Sequence, residues 1–294
     1  MKETGKIWMN GKLIPFKNAK VHVLTHALHY STAVFEGIRC YNTPNGPAIF
    51  RLPEHIDRFF NSAKMYGMKM RYSKKQISNA IIKTVKASGL KECYIRPLAY
   101  YGYGTMGLTP TLNKVDVSIA CWKWKMGESK AGKFSGAKCK ISKWIRIDSK
   151  SQPMQSKSAA NYSNAALARV EALKNGYDEA IMLNNKGNVA EGSAENIFVV
   201  KNGVIKTPPL DADILNGITR DSVIQLIKKE HMKLVEKNIT VNELLKADEV
   251  FMTGTAAEVK SVTKIDKNAI GTVSYTHLRA HETRHDLVCR LLLE

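Results

Sequence analysis

Apolar residues alternate through KIWMNGKLIPF near the start of the chain, with Asn-Gly between the two arms. That pattern predicts an opening β-hairpin. AIFRLPEHIDRFFNSAKMYGM then changes period, predicting a strand end, a proline boundary and an amphipathic helix. KKQISNAIIKTVKASGL predicts a second helix, ended by Gly89. CYIRPLAYYGYG and VDVSIACWKWK read as strands, and the text from 126 to 137 turns to Gly, Ser and Lys, the composition of a linker.

Beyond the linker, KCKISKWIRI predicts a strand and ANYSNAALARVEALKNG a helix ended at Gly176. DEAIMLNNKGNVAEG and NIFVVKNGVIKTPP predict two strands, each bent at an Asn- and Gly-containing turn. ITRDSVIQLIKKEH and VNELLKA predict helices, and DEVFMTGTAAEV a strand running into a helix start. No internal repeat is visible. The pattern is that of a two-domain α/β (α+β) chain: a small N-terminal α/β domain over 1–125, a linker over 126–137, and a large domain over 138–272.

Composition narrows the class. A chain of 294 residues with 44% hydrophobic content can bury a core and lacks the bias of a disordered protein. No apolar run is long enough for a transmembrane helix, and the first residues lack the apolar centre of a signal peptide. Five scattered cysteines without a CxxC pair predict a reducing, cytoplasmic setting. The net charge of +19 raises a nucleic-acid reading. The bases are mostly lysine, spread along the chain, so a solvated lysine-rich surface explains them and no nucleic-acid partner is expected. His22, His26 and His29 in VHVLTHALHY have a metal-like i, i+4 spacing. Their surroundings resemble a strand and loop of a known family, and no metal is expected.

One lysine stands apart. Lys157 lies among small and polar residues in MQSKSAANY, just before a helical pattern. A desolvated lysine amine is a nucleophile toward carbonyls, although a lone lysine is ordinarily surface. Further along come EGSAENIF at 191–198 and TPPLDADILNGITRDSV, with FEGIRCY at 35–41, YIRPL at 94–98 and TGTAAEV at 253–259. These separated motifs, in this order, resemble the class IV pyridoxal-phosphate aminotransferases, and among them the branched-chain amino-acid aminotransferases. The resemblance runs from about residue 5 to residue 271.

The resemblance implies a fold-type IV enzyme, with a small α/β domain and a larger pseudo-barrel domain, that uses pyridoxal 5′-phosphate. Lys157 matches the lysine that forms the internal aldimine and then shuttles a proton as general acid and base. Glu191 matches the carboxylate facing the pyridine nitrogen, and Tyr162 the tyrosine on the phenolic oxygen. Read alone, these are an exposed turn carboxylate and a core tyrosine. Arg58, Ile218, Thr219 and Thr255 match the phosphate contacts, with Thr255 at a second helix start. Tyr94 and Arg96, with Thr255 and Ala256, match a carboxylate trap. Tyr30, Phe35, Gly37 and Trp124 match or neighbour the pocket for the branched side chain.

The implied reaction is ping-pong transamination of leucine, isoleucine or valine with 2-oxoglutarate. YGYGTMGL at 101–108 matches a mobile loop that reaches a neighbouring subunit, which implies a homodimer or a higher homo-oligomer. A D-amino-acid aminotransferase or an aminodeoxychorismate lyase would share Lys157, Glu191 and Arg58 but not the FEGIRCY and YIRPL pair. After KNAIG the resemblance stops. TVSYTHLRAHETRHDLVCRLLLE has no helical register and looks like a non-native segment over 273–294 following a truncated large domain.

Overall fold

The computed structural model describes residues 5–124 and 136–271. Most of the expected linker, and the 273–294 segment with Cys289, lie outside the described residues. Two compact units are present: residues 5–124 with 156–160, and residues 136–155 with 161–271. The short stretch carrying Lys157 thus belongs with the first unit although it lies far along the chain.

The first unit holds a seven-stranded sheet. Strands β1 (Lys6–Met9) and β2 (Lys12–Pro15) form the opening hairpin, with Asn10 and Gly11 at positive φ in its two-residue turn. The short helix α1 (His26–Tyr30) follows, then β3 (Ala33–Phe35), β4 (Ile38–Thr43), β5 (Gly46–Ile49), α2 (Leu52–Met65), α3 (Lys74–Ser88), β6 (Cys93–Tyr101) and β7 (Val115–Trp122). The sheet order is β2-β1-β7-β6-β4-β5, and β3 pairs with β6. β7 alternates buried and half-buried positions along its length, the period-2 signature of one covered face. Ser73 and Gln76 close a capping box at the start of α3, and Gly89 at positive φ ends it. α2 and α3 lay Ile56, Phe59, Ile77 and Ile81 against Ile38, Ile95, Val117 and Ile119 of the sheet. Each such side chain, fully buried, stabilises by about 1.5–3 kcal/mol.

The second unit is built on a nine-stranded sheet. Its elements are β8 (Ala137–Ile141), α4 (Ala159–Lys174), β9 (Glu179–Leu183), β10 (Val189–Gly192), β11 (Asn196–Lys201), β12 (Val204–Thr207), α5 (Ile218–Lys229), β13 (Leu234–Glu236), α6 (Val241–Leu245), β14 (Glu249–Gly254), β15 (Glu258–Ile265) and β16 (Asn268–Ala269). The order is β10-β9-β8-β15-β14-β11-β12-β13. Two parallel pairs, β8 with β9 and β12 with β13, are each bridged in sequence by a helix, α4 and α5. Consecutive residues on β9, β10 and β11 are buried, so both faces of these strands are covered, with Glu179, Glu191 and Asn196 as polar members. One face packs Ile181, Val189, Ile197, Val250 and Val262 together. On the other, Phe198 and Phe251 stack at 4.8 Å under Val223 and Ile227 of α5.

Two expectations are corrected here. TGTAAEV does not open a helix: β14 and β15 are antiparallel partners with Gly254 opposite Glu258, so Thr255 and Ala256 sit in a hairpin turn. VHVLTHALHY is not strand and loop throughout, because His26–Tyr30 forms α1. Among the described residues no helix is long and apolar enough to cross a membrane, and no group of three or more metal-capable side chains converges.

Candidate active site

In the first unit the Lys157 stretch is sewn onto the edge of β3. The Phe35 N–H donates to the Lys157 carbonyl at 3.0 Å, and Val34 bridges Ser158. From α2, Ser62 Oγ accepts the Lys157 N–H at 2.9 Å, and Tyr66 donates to Ser158 Oγ at 2.9 Å. The backbone of Lys157 is thus fixed from two elements. Its side chain is half-buried, with Nζ 5.2 Å from the Phe35 ring centroid.

The same ring meets a second cation. The Arg96 guanidinium carbon lies 4.7 Å from Phe35, 5.5 Å from Tyr94 and 5.8 Å from Trp122. Trp124 stacks beside Tyr94 at 5.0 Å. This is an aromatic wall carrying one guanidinium, whose Nε is buried without a hydrogen-bond partner among the described residues. Gly37 shapes the wall: a Cβ there would come within 1.9 Å of the Tyr94 hydroxyl oxygen. Tyr30 is not part of this group. Its hydroxyl donates to the Met106 carbonyl at 2.8 Å, on the 101–108 loop, where His26 Nε2 also donates to the Gly107 carbonyl. Asn113 holds that loop through Thr105 and the Gly102 carbonyl.

Arg58 projects from α2 into a bidentate pair with Glu36, Nε to Oε1 at 2.7 Å and Nη2 to Oε2 at 2.9 Å. Glu36 is fully buried, and its Oε2 also accepts from His55 Nδ1 at 2.7 Å. A carboxylate only accepts, so the His55 proton is on Nδ1. Burial raises the Glu36 carboxyl, but the charges of Arg58 and His55 and their hydrogen bonds outweigh it and hold it well below the usual range. Burial, the largest cause, pushes the His55 imidazole down from its ordinary value; Glu36 pulls it up, and Arg58 and Lys157 push it further down.

In the second unit Glu191 lies on β10 beside a register shift that sets its direction. Its carboxylate pairs with Arg146 at 2.6 Å and accepts from Asn196 Nδ2 at 3.0 Å and the Leu215 N–H at 3.2 Å. Asn196 also donates to the Leu215 carbonyl at 2.9 Å. Leu215 leads directly to Gly217, which precedes α5, so one polar cluster locks Glu191 to the approach of that helix. Ile218 and Thr219 form the first turn of α5, where backbone N–H groups and the helix dipole suit an anion. A Cβ at Gly217 would come within 2.0 Å of Asn196 Oδ1. Arg220 fastens the turn, donating to the Pro208 carbonyl at 3.0 Å and to Glu236 at 2.6 Å. Tyr162 is half-buried on α4, and Thr255 and Ala256 are half-buried in the β14–β15 turn. Nearby on β14, Thr253 Oγ1 is buried without a partner among the described residues.

Motif reading missed Glu36, His55 and Arg146. The signal for Glu36 was present: a carboxylate inside the otherwise apolar run AVFEGI needs a buried counter-charge. Arg146, in KWIRI, carried the same signal in the opposite sign.

The family described as amino-transferase class IV matches this chain over residues 33–265. Within that class, the branched-chain-amino-acid aminotransferase of Pseudomonas aeruginosa is 45% identical over 267 residues, covering 91% of this chain and 87% of that protein. The crystal structure of the Escherichia coli branched-chain amino acid aminotransferase superposes with a TM-score of 0.93 at 37% identity, covering 97% of this chain and 94% of that one. The T.th. branched-chain amino acid aminotransferase, complexed with N-(5′-phosphopyridoxyl)-L-glutamate, gives 0.91 at 43% identity, covering 99% and 95%. The chain belongs to the class IV aminotransferases, in their fold-type IV, pyridoxal 5′-phosphate-dependent branched-chain-amino-acid branch.

The residues present fit that cofactor. A phosphate monoester needs a guanidinium and backbone donors, and Arg58 in the first unit and the glycine-led turn of α5 in the second are of these types. A pyridine nitrogen needs a fixed carboxylate, and Glu191 is held by three donors.

Proposed function

We propose that this aminotransferase moves an amino group between leucine, isoleucine or valine and 2-oxoglutarate. The observation that carries the reading is the Phe35–Tyr94–Trp122 wall around Arg96: apolar rings for a branched side chain, one buried guanidinium donor for a carboxylate. The phosphopyridoxyl-glutamate complex of the T.th. enzyme supports glutamate and 2-oxoglutarate as the second substrate pair.

Pyridoxal phosphate, when bound, supplies an electron sink for the pair of electrons left at the amino acid's Cα. Lys157 would hold the cofactor's carbonyl carbon and, with its amine free, would take the substrate's Cα proton as general base and deliver it to that carbon as general acid. Glu191 would keep the pyridine nitrogen protonated, and Tyr162 would hydrogen-bond the phenolic oxygen. The phosphate would be held by Arg58 of the first unit and by the Ile218 and Thr219 N–H groups and Thr255 of the second. Tyr94 and Arg96 of the first unit and the backbone at Thr255 and Ala256 of the second would take the substrate carboxylate, while Phe35, Gly37 and Trp124 would shape the side-chain pocket.

Tyr30 enters this scheme through a second copy of the chain. The loop it touches exposes Tyr103, Leu108 and Leu112, and α1 with its approach exposes Val23 and Leu28. Such an apolar patch supports a homodimer or a higher homo-oligomer. The free thiols of Cys40 and Cys93, opposite one another on β4 and β6, support a reducing cytoplasm.

Initial rates across a panel of L- and D-amino donors against 2-oxoglutarate test the reading. Parallel double-reciprocal plots with L-leucine, L-isoleucine and L-valine preferred are the expected result. Preference for D-amino donors, or intersecting plots, would sink it.

A further inference from the structure

Glu36 has no place in the chemistry above, yet it is the most heavily hydrogen-bonded carboxylate of the first unit. It sits between β3 and β4, fully buried, and receives Arg58 Nε at 2.7 Å, Arg58 Nη2 at 2.9 Å, His55 Nδ1 at 2.7 Å and the Gly37 N–H at 3.2 Å. Its own N–H is tied to the Pro97 carbonyl at 2.9 Å. A buried ion pair is a weak device for stability, since an apolar pair of the same shape serves as well. It is a strong device for fixing geometry. His55 and Arg58 stand three residues apart on α2, so a single carboxylate clasps one face of the helix at both positions.

The pairing also selects which edge of the guanidinium is used. Glu36 engages the Nε–Nη2 edge, whereas a guanidinium has five N–H donors in a fixed fork. The plane of the guanidinium is therefore set by Glu36 rather than by the flexible arginine stem. We propose that Glu36, backed by His55, is the positioning residue of Arg58: it orients the guanidinium for a phosphate monoester before that anion arrives. The proposal rests on the reading of Arg58 as a phosphate ligand.

Apoprotein prepared from the full chain tests it, through equilibrium binding of pyridoxal 5′-phosphate and of pyridoxal, followed by quenching of tryptophan fluorescence. The ratio of the two affinities reports the phosphate contact alone. Glu36→Gln should reduce that ratio about tenfold with pyridoxal binding unchanged. Glu36→Asp, which keeps the charge, should recover part of the loss. Adding Glu36→Gln to Arg58→Ala should bring no further loss, because the carboxylate acts only through the arginine. If Arg58→Ala leaves the ratio intact, the reading of Arg58 fails and takes the proposal with it. If Arg58→Ala lowers the ratio while Glu36→Gln does not, the proposal alone is overturned. Should Glu36→Gln fail to fold, Glu36→Asp decides: a severalfold drop in the ratio supports the positioning role, and an unchanged ratio overturns it.

Discussion

Lys157 Nζ stands 5.2 Å from the centre of the Phe35 ring while the Lys157 carbonyl accepts the Phe35 N–H at 3.0 Å. Backbone and side chain of one residue are thus referred to the same neighbour, and only the side chain enters the proposed chemistry. Lys157→Ala should therefore abolish transamination, at least 100-fold by the loss of a general acid–base group, with little change in melting temperature. Steady-state rates, the visible absorbance of the loaded protein and a thermal melt check this together. Substantial turnover with wild-type absorbance would remove Lys157 from its role.

Arg58→Ala and Arg96→Ala should fail differently. A charge-assisted contact contributes about 1.5–3 kcal/mol, so Arg58→Ala should raise the cofactor dissociation constant by roughly 10- to 150-fold. It should also lower the melting temperature, because Glu36 loses its main partner. Arg96→Ala should leave the cofactor bound and raise the apparent KM for both amino and 2-oxo acids. Equal cofactor loss in the two variants would contradict this division.

Gly37→Ala places a methyl 1.9 Å from the Tyr94 hydroxyl oxygen, which must move. The expected outcome is a raised KM with the cofactor dissociation constant unchanged. Gly217→Ala meets Asn196 Oδ1 at 2.0 Å in the second unit. There the expected outcome is the reverse, weaker cofactor retention. Titration with cofactor and with L-leucine separates them.

Arg146→Met should be among the most destabilising single changes. It leaves Glu191, 6% exposed at its side chain, as a buried carboxylate without its cation. Breaking such a pair costs on the order of 3–5 kcal/mol. Chemical denaturation of the apoprotein measures it directly, and a cost below about 1 kcal/mol would show that the pair is solvent-screened.

Acid should act on the first unit in two stages. His55 has a folded pKa below its ordinary 6.5, so the unfolded chain binds its proton first and stability falls as pH drops below that value. Glu36 is also depressed from 4.5, so its contribution is present above that pH and is lost on further acidification. With Glu36, Arg58 and Lys157 as the charges around it, His55→Gln should flatten the stability profile just below pH 6.5 and leave the lower stage, that of Glu36, in place. An unchanged upper stage would show that another group produces it.

Much of the fold was legible because it rests on local signals. Asn10-Gly11, the Ser73–Gln76 box and Gly89 each fix their own neighbourhood. The Thr255 turn was misread because Gly-Thr before a polar run is capping chemistry by composition; the antiparallel pairing of β14 and β15, a long-range fact, decides otherwise. β13 and β15 were missed for a related reason, since short or polar strands gain their identity from partners. At the site, the family resemblance pointed to Lys157, Arg58 and Glu191 but not to the charges that pair with the last two. Arg146 and Glu36 are remote in sequence from what they pair with, at Glu191 and Arg58 respectively, and only folding brings each pair together.

The run Phe35-Glu36-Gly37 leaves this enzyme little freedom on one side of its proposed side-chain pocket. A ring, a carboxylate and an absent Cβ at consecutive positions serve Lys157 with Arg96, Arg58 with His55, and Tyr94 in turn. A one-residue insertion or deletion there would deal each group to the wrong neighbour, and random libraries over the three positions should return almost nothing but the starting sequence. Enlarging the proposed pocket for bulkier amino donors therefore has to begin from other members of the aromatic group, at Trp122 and the partly exposed Trp124.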